Sequence, residues 1–182
     1  GKVCFVFEDP SGKYYNYLSN TSVIAGSFHH IAVTRKRGMT TQEKKGTKSF
    51  EFTNADGDKE VQEVEMVESV NTEEWSEITF YIDGKVAGTS RYHGQAPSGN
   101  NGNLVIGRSQ VGGRVSYFKG AISEVRLWNK ARSTEEIGKT IEAQEMGLAA
   151  WWQFEEGEGN IAVDGKSSNH GHIQGATRIK SP

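Results

Sequence analysis

The chain has 182 residues, with 21 basic and 23 acidic side chains, a formal net charge of −2, and 22 glycines against 3 prolines. Charges this evenly mixed make no basic field for nucleic acid and no polybasic patch for a membrane surface. No apolar run approaches the roughly 20 residues that a membrane helix needs, residues 1–30 lack a basic, apolar, small-residue secretory pattern, and the length suits a single domain over 1–182 with one sizeable core.

The first strands are expected at 3–7 and 14–18, where apolar and polar residues alternate. Cys4 is the only cysteine, cannot form an internal disulfide, and reads as a small buried hydrophobe. Tyr14, Tyr15 and Tyr17 follow, with Tyr15 taken to face away from the other two. A strand over 28–35 carries His29 and His30, whose adjacent side chains point to opposite faces and cannot readily share one metal ion. Residues 36–75 read as a long charged insertion, a hairpin about Asp56-Gly57 with strands at 48–53 and 60–70. Its basic start, 36–48, is expected to be loose, and its acidic arm to be a solvated edge strand guarded by charge.

Two clusters in that insertion carry a chemical suggestion. Glu63, Glu65 and Glu68 are near the strand spacing at which a retaining glycosidase sets two carboxyls about 5 Å apart, but no Trp-rich cleft sequence precedes them, so a solvated acidic face is the reading. Asn54, Asp56, Asp58 and Glu60 place oxygens at every second residue as a calcium loop does. Lys59 stands where such a loop needs glycine and no helices flank it, which leaves a hairpin tip.

Strands at 78–82 and 85–89 meet at Asp83-Gly84, and the polar, glycine-rich segment 97–102 reads as an exposed loop. Further strands are expected at 103–106, 116–125, 150–154 and 171–174, with another turn at Asp164-Gly165. Alternation of Ile122, Glu124, Arg126 and Trp128 against Ala121, Val125 and Leu127 extends the middle strand to 128. It puts Trp128, Trp151 and Phe154 in the core and turns Trp152 outward. Ser133 and Glu136 have the spacing of a capping box, predicting a helix over 134–146 that stops at Gly147. The sum is an all-β, two-sheet antiparallel β-sandwich with one short helix. No Gly-x-Ser-x-Gly elbow and no Gly-rich phosphate loop ending in Lys-Ser/Thr is present.

Residues 27–34 (SFHHIAVT), 78–84 (ITFYIDG), 103–107 (NLVIG) and 120–137 together resemble laminin-G-like members of the concanavalin A-type lectin/glucanase jelly rolls. Residues 147–164 (GLAAWWQFEEGEGNIAVD) followed by 169–176 resemble the opening of such a domain, yet stand at the far end of this chain. Two explanations stay open, a circular permutation and a piece of a tandem array. The resemblance predicts that the strand around Trp151 lies beside the strand carrying Val125. It implies a calcium ion held by Glu124, Glu155, Glu156 and Asp164, these acids being otherwise capped by backbone N–H groups or solvated, and a sugar-binding surface built from Tyr92, His93, Asn100, Asn101 and Tyr15, with ordinary core packing as the other reading of Tyr92.

The expectation is therefore a non-enzymatic, extracellular recognition module within a larger multidomain protein, with a glycan or glycoprotein as partner, calcium as candidate cofactor, and neither nucleic acid binding nor membrane insertion. Its alternatives are a protein-contact or spacer module of an adhesin or toxin, and a glycoside hydrolase of the same fold.

Overall fold

The computed structural model describes residues 1–95, 102–111 and 113–179. Among these residues there are eleven strands, all pairing antiparallel, and no helix. They fall into two compact units: among the described residues the first comprises Gly1–Ile82 and 86–95, the second Asp83–Lys85 and the residues from 102 on.

The first unit is itself a two-layer sandwich. One layer is the ribbon of β1 (Lys2–Glu8) and β2 (Tyr14–Ser22), in register through Phe5 opposite Tyr17 and Phe7 opposite Tyr15. Asp9 closes their turn by accepting from the Ser11 and Lys13 backbone N–H at 2.9 and 3.0 Å. The second layer has the order β3 (Ile31–Thr53), β4 (Lys59–Ile82), β5 (Lys85–His93). Ile78, Phe80, Ala87 and Tyr92 are buried between the layers, against Val3, Phe5, Phe7, Tyr15, Tyr17, Val33 and Ile82. Fully burying Ile78 and Phe80 contributes about 1.5–3 kcal/mol each.

Four separately expected strands merge into β3 and β4, which pair from Ile31–Ile82 out to Thr53–Lys59. The basic stretch 36–48 is thus regular strand, because each of its residues has an opposite number on β4. The expected turn about Asp56-Gly57 is there. The Asn54 side-chain oxygen accepts from the backbone N–H of Asp56 and Asp58 at 3.1 and 2.9 Å, and Gly57 takes φ +89°, which suits glycine.

Cys4 is exposed rather than buried, since the inward positions of β1 are Val3, Phe5 and Phe7. Tyr15 and Tyr17 share the inward parity and Tyr14 faces out, which corrects the orientation expected for Tyr15.

The second unit contains β6 (Arg108–Val111) paired with β7 (Arg114–Tyr117), β8 (Val125–Trp128) with β9 (Leu148–Trp152), and β10 (Ile161–Ala162) with β11 (Gly171–His172). Val125 lies opposite Trp152 and Arg126 opposite Trp151, so the terminal segment does run beside the Val125 strand. Residues 103–106 and 118–124 are not strand. Gly107 takes φ +81°, which ends the extended run before β6, and its carbonyl accepts from the Phe118 N–H at 2.8 Å at the open end of the β6–β7 hairpin. Trp152, not Trp151, is the core residue, packed with Ala150, Ala162, Val125, Phe154 and Ile173.

The helix expected over 134–146 does not form; only a hydrogen-bonded turn over 134–138 stands at its start. Half of its capping box forms, the Ser133 N–H on Glu136 Oε2 at 2.9 Å, and the Ile137 N–H meets the Ser133 carbonyl at 3.0 Å. Gly138 then leaves the helical region at φ +79°, and arginines claim the carbonyls that a second turn would use: Arg132 binds the Glu136 oxygen at 2.9 Å and Arg126 the Lys139 oxygen at 3.3 Å.

Candidate functional site

The sheet of the first unit has one face on the core and one face outward. Strand alternation sends Ser76, Ile78 and Phe80 inward and Glu73, Trp75, Glu77 and Thr79 outward. On the outward face Gly38 of β3 lies directly opposite Trp75. A Cβ at position 38 would collide with the indole, so glycine is what lets the ring lie across the neighbouring strand.

Three polar groups then surround that ring. The indole Nε1 donates to Thr40 Oγ1 at 3.1 Å, the Arg91 guanidinium sits 4.6 Å from the ring centre, and Arg91 Nη2 donates to Glu77 Oε2 at 3.0 Å. His93 Nδ1 and Glu73 Oε1 meet at 3.1 Å on the same face. All four charged or ionisable partners are substantially exposed, so these pairs contribute at most about 1 kcal/mol each to stability. What they supply is a fixed array: one flat aromatic, one guanidinium, two carboxylates, one imidazole and hydroxyls within a few residues of one another.

The residues expected to bind ligand divide on inspection. His93 lies on this face. Tyr92, its neighbour, points the opposite way and is only 6% exposed, with Phe7 edge-on at 5.0 Å and Tyr15 at 4.7 Å between ring centres. Burial, then the nearby Tyr15, raise its hydroxyl above the usual phenol range. Tyr92 is a core residue and offers no face for stacking. Tyr15 is half-buried in that cluster, with Lys13 5.0 Å from its ring centre. Asn100 and Asn101 lie outside the described residues. Trp75 was missed, because inside a charged run only its register opposite Gly38 marks it as the ring of a surface.

The acids expected to hold calcium do not fit that ion. Glu124 receives Arg126 at 2.6 and 2.8 Å and the Trp151 indole N–H. Glu156 receives Arg178 at 2.8 Å and the Val163 N–H at 2.6 Å, while Glu155 is exposed. Asp164 accepts from the backbone N–H of Trp151 and Lys166, both at 2.9 Å, and from the Ser167 hydroxyl at 2.5 Å. Burial alone would raise its pKa, but the Ser167 hydroxyl and these N–H groups outweigh it and hold the carboxyl well below the usual carboxylate range. A hard cation needs several free oxygens converging, and among the described residues no group of three or more His, Cys, Asp or Glu side chains is arranged to hold one. Glu124, Glu156 and Asp164 serve as acceptors for arginine, indole, hydroxyl and backbone N–H groups.

Glu63 and Glu65 lie on one face of β4 with Glu68 at a bulge between Ser69 and Val67, on a fully exposed part of the hairpin with no layer over it. His29 Nε2 lies 3.0 Å from both the Ser27 hydroxyl and the Ile24 carbonyl.

A laminin-G-type family model, described as the concanavalin A-like lectin/glucanases superfamily, matches residues 43–138. No curated protein and no solved structure matches the chain.

Proposed function

We propose that this chain, which belongs to the concanavalin A-like lectin/glucanase superfamily, is a non-enzymatic recognition module that binds carbohydrate on the outward face of β3–β4–β5. The observation that carries this reading is the Trp75 ring held across Gly38 with Arg91, Glu77 and Thr40 around it and the His93–Glu73 pair alongside. A sugar presents a flat apolar C–H face bordered by hydroxyls. An indole plane serves the first, and guanidinium, carboxylate and imidazole serve the second.

Two facts favour binding over catalysis. Among the described residues the site has no pair of carboxylates facing each other across a cleft, and Glu63 and Glu65, which have a glycosidase-like spacing, stand on an open ribbon where water is not excluded. Placement outside the cell is part of the proposal and is supported by kinship with laminin-G-type domains. Fold kinship alone does not fix a ligand, so the glycan is a matter for measurement.

The test is a glycan array probed with the multivalently displayed chain, because a shallow exposed site binds weakly and is read best through avidity. Trp75→Ala and Arg91→Ala are expected to remove the signal and Glu63→Gln to leave it. Retention of full binding by Trp75→Ala sinks the assignment to this face, and release of reducing sugar that disappears in Glu63→Gln sinks the non-enzymatic reading.

A further inference from the structure

Arg35 and Arg37 stand two residues apart on β3 and share its inward face, since the register sets Arg35 opposite Ile78 and Arg37 opposite Ser76. The strand rise puts their Cα atoms about 7 Å apart, so both guanidiniums can reach one small group between them. Arg35 is half-buried at the rim of the core around Ile78 and Phe80, and Arg37 is exposed. Burial, and then the Arg37 charge, lower the Arg35 pKa from the usual guanidinium value.

Among the described residues no carboxylate and no aromatic ring holds either arginine. The inward positions of β1 and β2 carry apolar, aromatic and hydroxyl side chains and no acid. Glu74, the acid next along this face of β4, forms no ion pair with Arg37. In the second unit the arginines that leave the surface are each answered: Arg126 by Glu124 at 2.6 Å, Arg132 by Glu145 at 2.9 Å and Arg178 by Glu156 at 2.8 Å. Ser76 adds a third unmet group beside the pair. It is 1% exposed, and its Oγ has no hydrogen-bond partner among the described residues. Buried hydroxyls are nearly always paired, and this one shares a face with Arg37, whose long exposed side chain can turn to open a way to it.

We infer that Arg35, Arg37 and Ser76 form a binding site for a tetrahedral oxyanion, a phosphate or sulfate group. A guanidinium presents its N–H donors as a fork that matches two oxygens of such an anion, and the several oxygens of one anion can meet two forks and a hydroxyl together. Two positive charges likewise call for a doubly charged partner. A carboxylate, with one charge and two oxygens, answers one arginine and leaves the other. Free phosphate and a phosphate monoester present the same oxygens, so the chemistry is shared and measurement separates the sources. Trp75 points to the opposite face of the sheet, so this site and the carbohydrate face stand or fall separately.

Isothermal titration calorimetry of the whole chain at fixed ionic strength, with inorganic phosphate, inorganic sulfate, methyl phosphate and acetate as titrants, tests it. Saturable binding of phosphate and sulfate, one per chain, is expected, with acetate much weaker. Removing a charge-assisted contact in Arg35→Gln or Arg37→Gln should weaken phosphate binding about 10- to 100-fold, and removing the hydroxyl in Ser76→Ala about 2- to 10-fold. Arg37→Lys, which keeps the charge and loses the fork, should also bind more weakly, and Trp75→Ala should bind as wild type does. In chloride alone the glutamine and alanine variants are expected to melt no lower than wild type, because each removes an unanswered group rather than a contact. A preference for methyl phosphate assigns the site to phosphate esters, and a preference for the inorganic ion assigns it to free phosphate. The absence of saturable binding overturns the assignment, as does phosphate binding that both glutamine variants retain or that acetate equals. A melt lowered in chloride by both glutamine variants overturns it as well, since it would mean arginines already engaged in holding the fold.

Discussion

Replacing Asp164 by Asn is the most direct test of how the second unit is held together. The carboxylate is 3% exposed and accepts from the Trp151 and Lys166 N–H groups at 2.9 Å, the Ser167 hydroxyl at 2.5 Å and the Asn169 N–H at 3.3 Å. Through these bonds one side chain ties β9 to the turn at 164–169, beside the bridge that joins Trp152 and Asp164. The substitution keeps one acceptor oxygen but puts an amide N–H₂ against donors on the other side. Hydrogen bonds to a charged group are worth about 1.5–3 kcal/mol, and leaving buried donors unmet costs about 1–3 kcal/mol. A loss of about 2–4 kcal/mol follows, which for a chain of this length lowers the melting temperature by roughly 5–15 °C.

The pH dependence has a definite sign. The folded pKa is depressed, so the stabilisation is complete above the unfolded value near 3.9 and is lost as pH falls toward and through the lower folded value. Calorimetric melts of wild type and Asp164→Asn should therefore differ fully at neutral pH and converge in strong acid. An Asn variant that melts within a degree of wild type at neutral pH, or a difference that does not shrink in acid, would refute the reasoning.

Two further outcomes are expected. Gly38→Ala forces its methyl into the Trp75 indole and should cost about 1–3 kcal/mol in a thermal melt while weakening glycan binding, because the ring can no longer lie across β3. Chelation should leave the melting temperature unchanged, since Glu124, Glu156 and Asp164 are satisfied by Arg126, Arg178 and backbone N–H groups; a calcium-dependent rise would show that this set can reopen around the ion.

What the sequence determined by itself are the features with local causes. Period-two alternation gave β1, β2 and β9, the Asp-Gly pairs at 56–57 and 83–84 gave their turns, and Ser133 with Glu136 gave one of the two bonds of a capping box. The pairing of Val125 with Trp152 was also legible, through resemblance rather than periodicity. Lost from view was everything that depends on which residues meet across space. Arg132 and Arg126 take the Glu136 and Lys139 carbonyls that a helix after Ser133 needed, and Gly138 turns the chain away, so a correct start signal yields one turn. Parity alone could not say which of Trp151 and Trp152, or of Tyr92 and His93, faces the core, because alternation fixes only that neighbours differ. The same limit hid Trp75, whose surface exists only through the register that sets it on Gly38, and left open what the acids at 124, 156 and 164 meet, which tertiary contacts answer with arginine and N–H or hydroxyl donors. Side-chain direction and charge neutralisation are properties of pairs, and only the fold chooses the pairs.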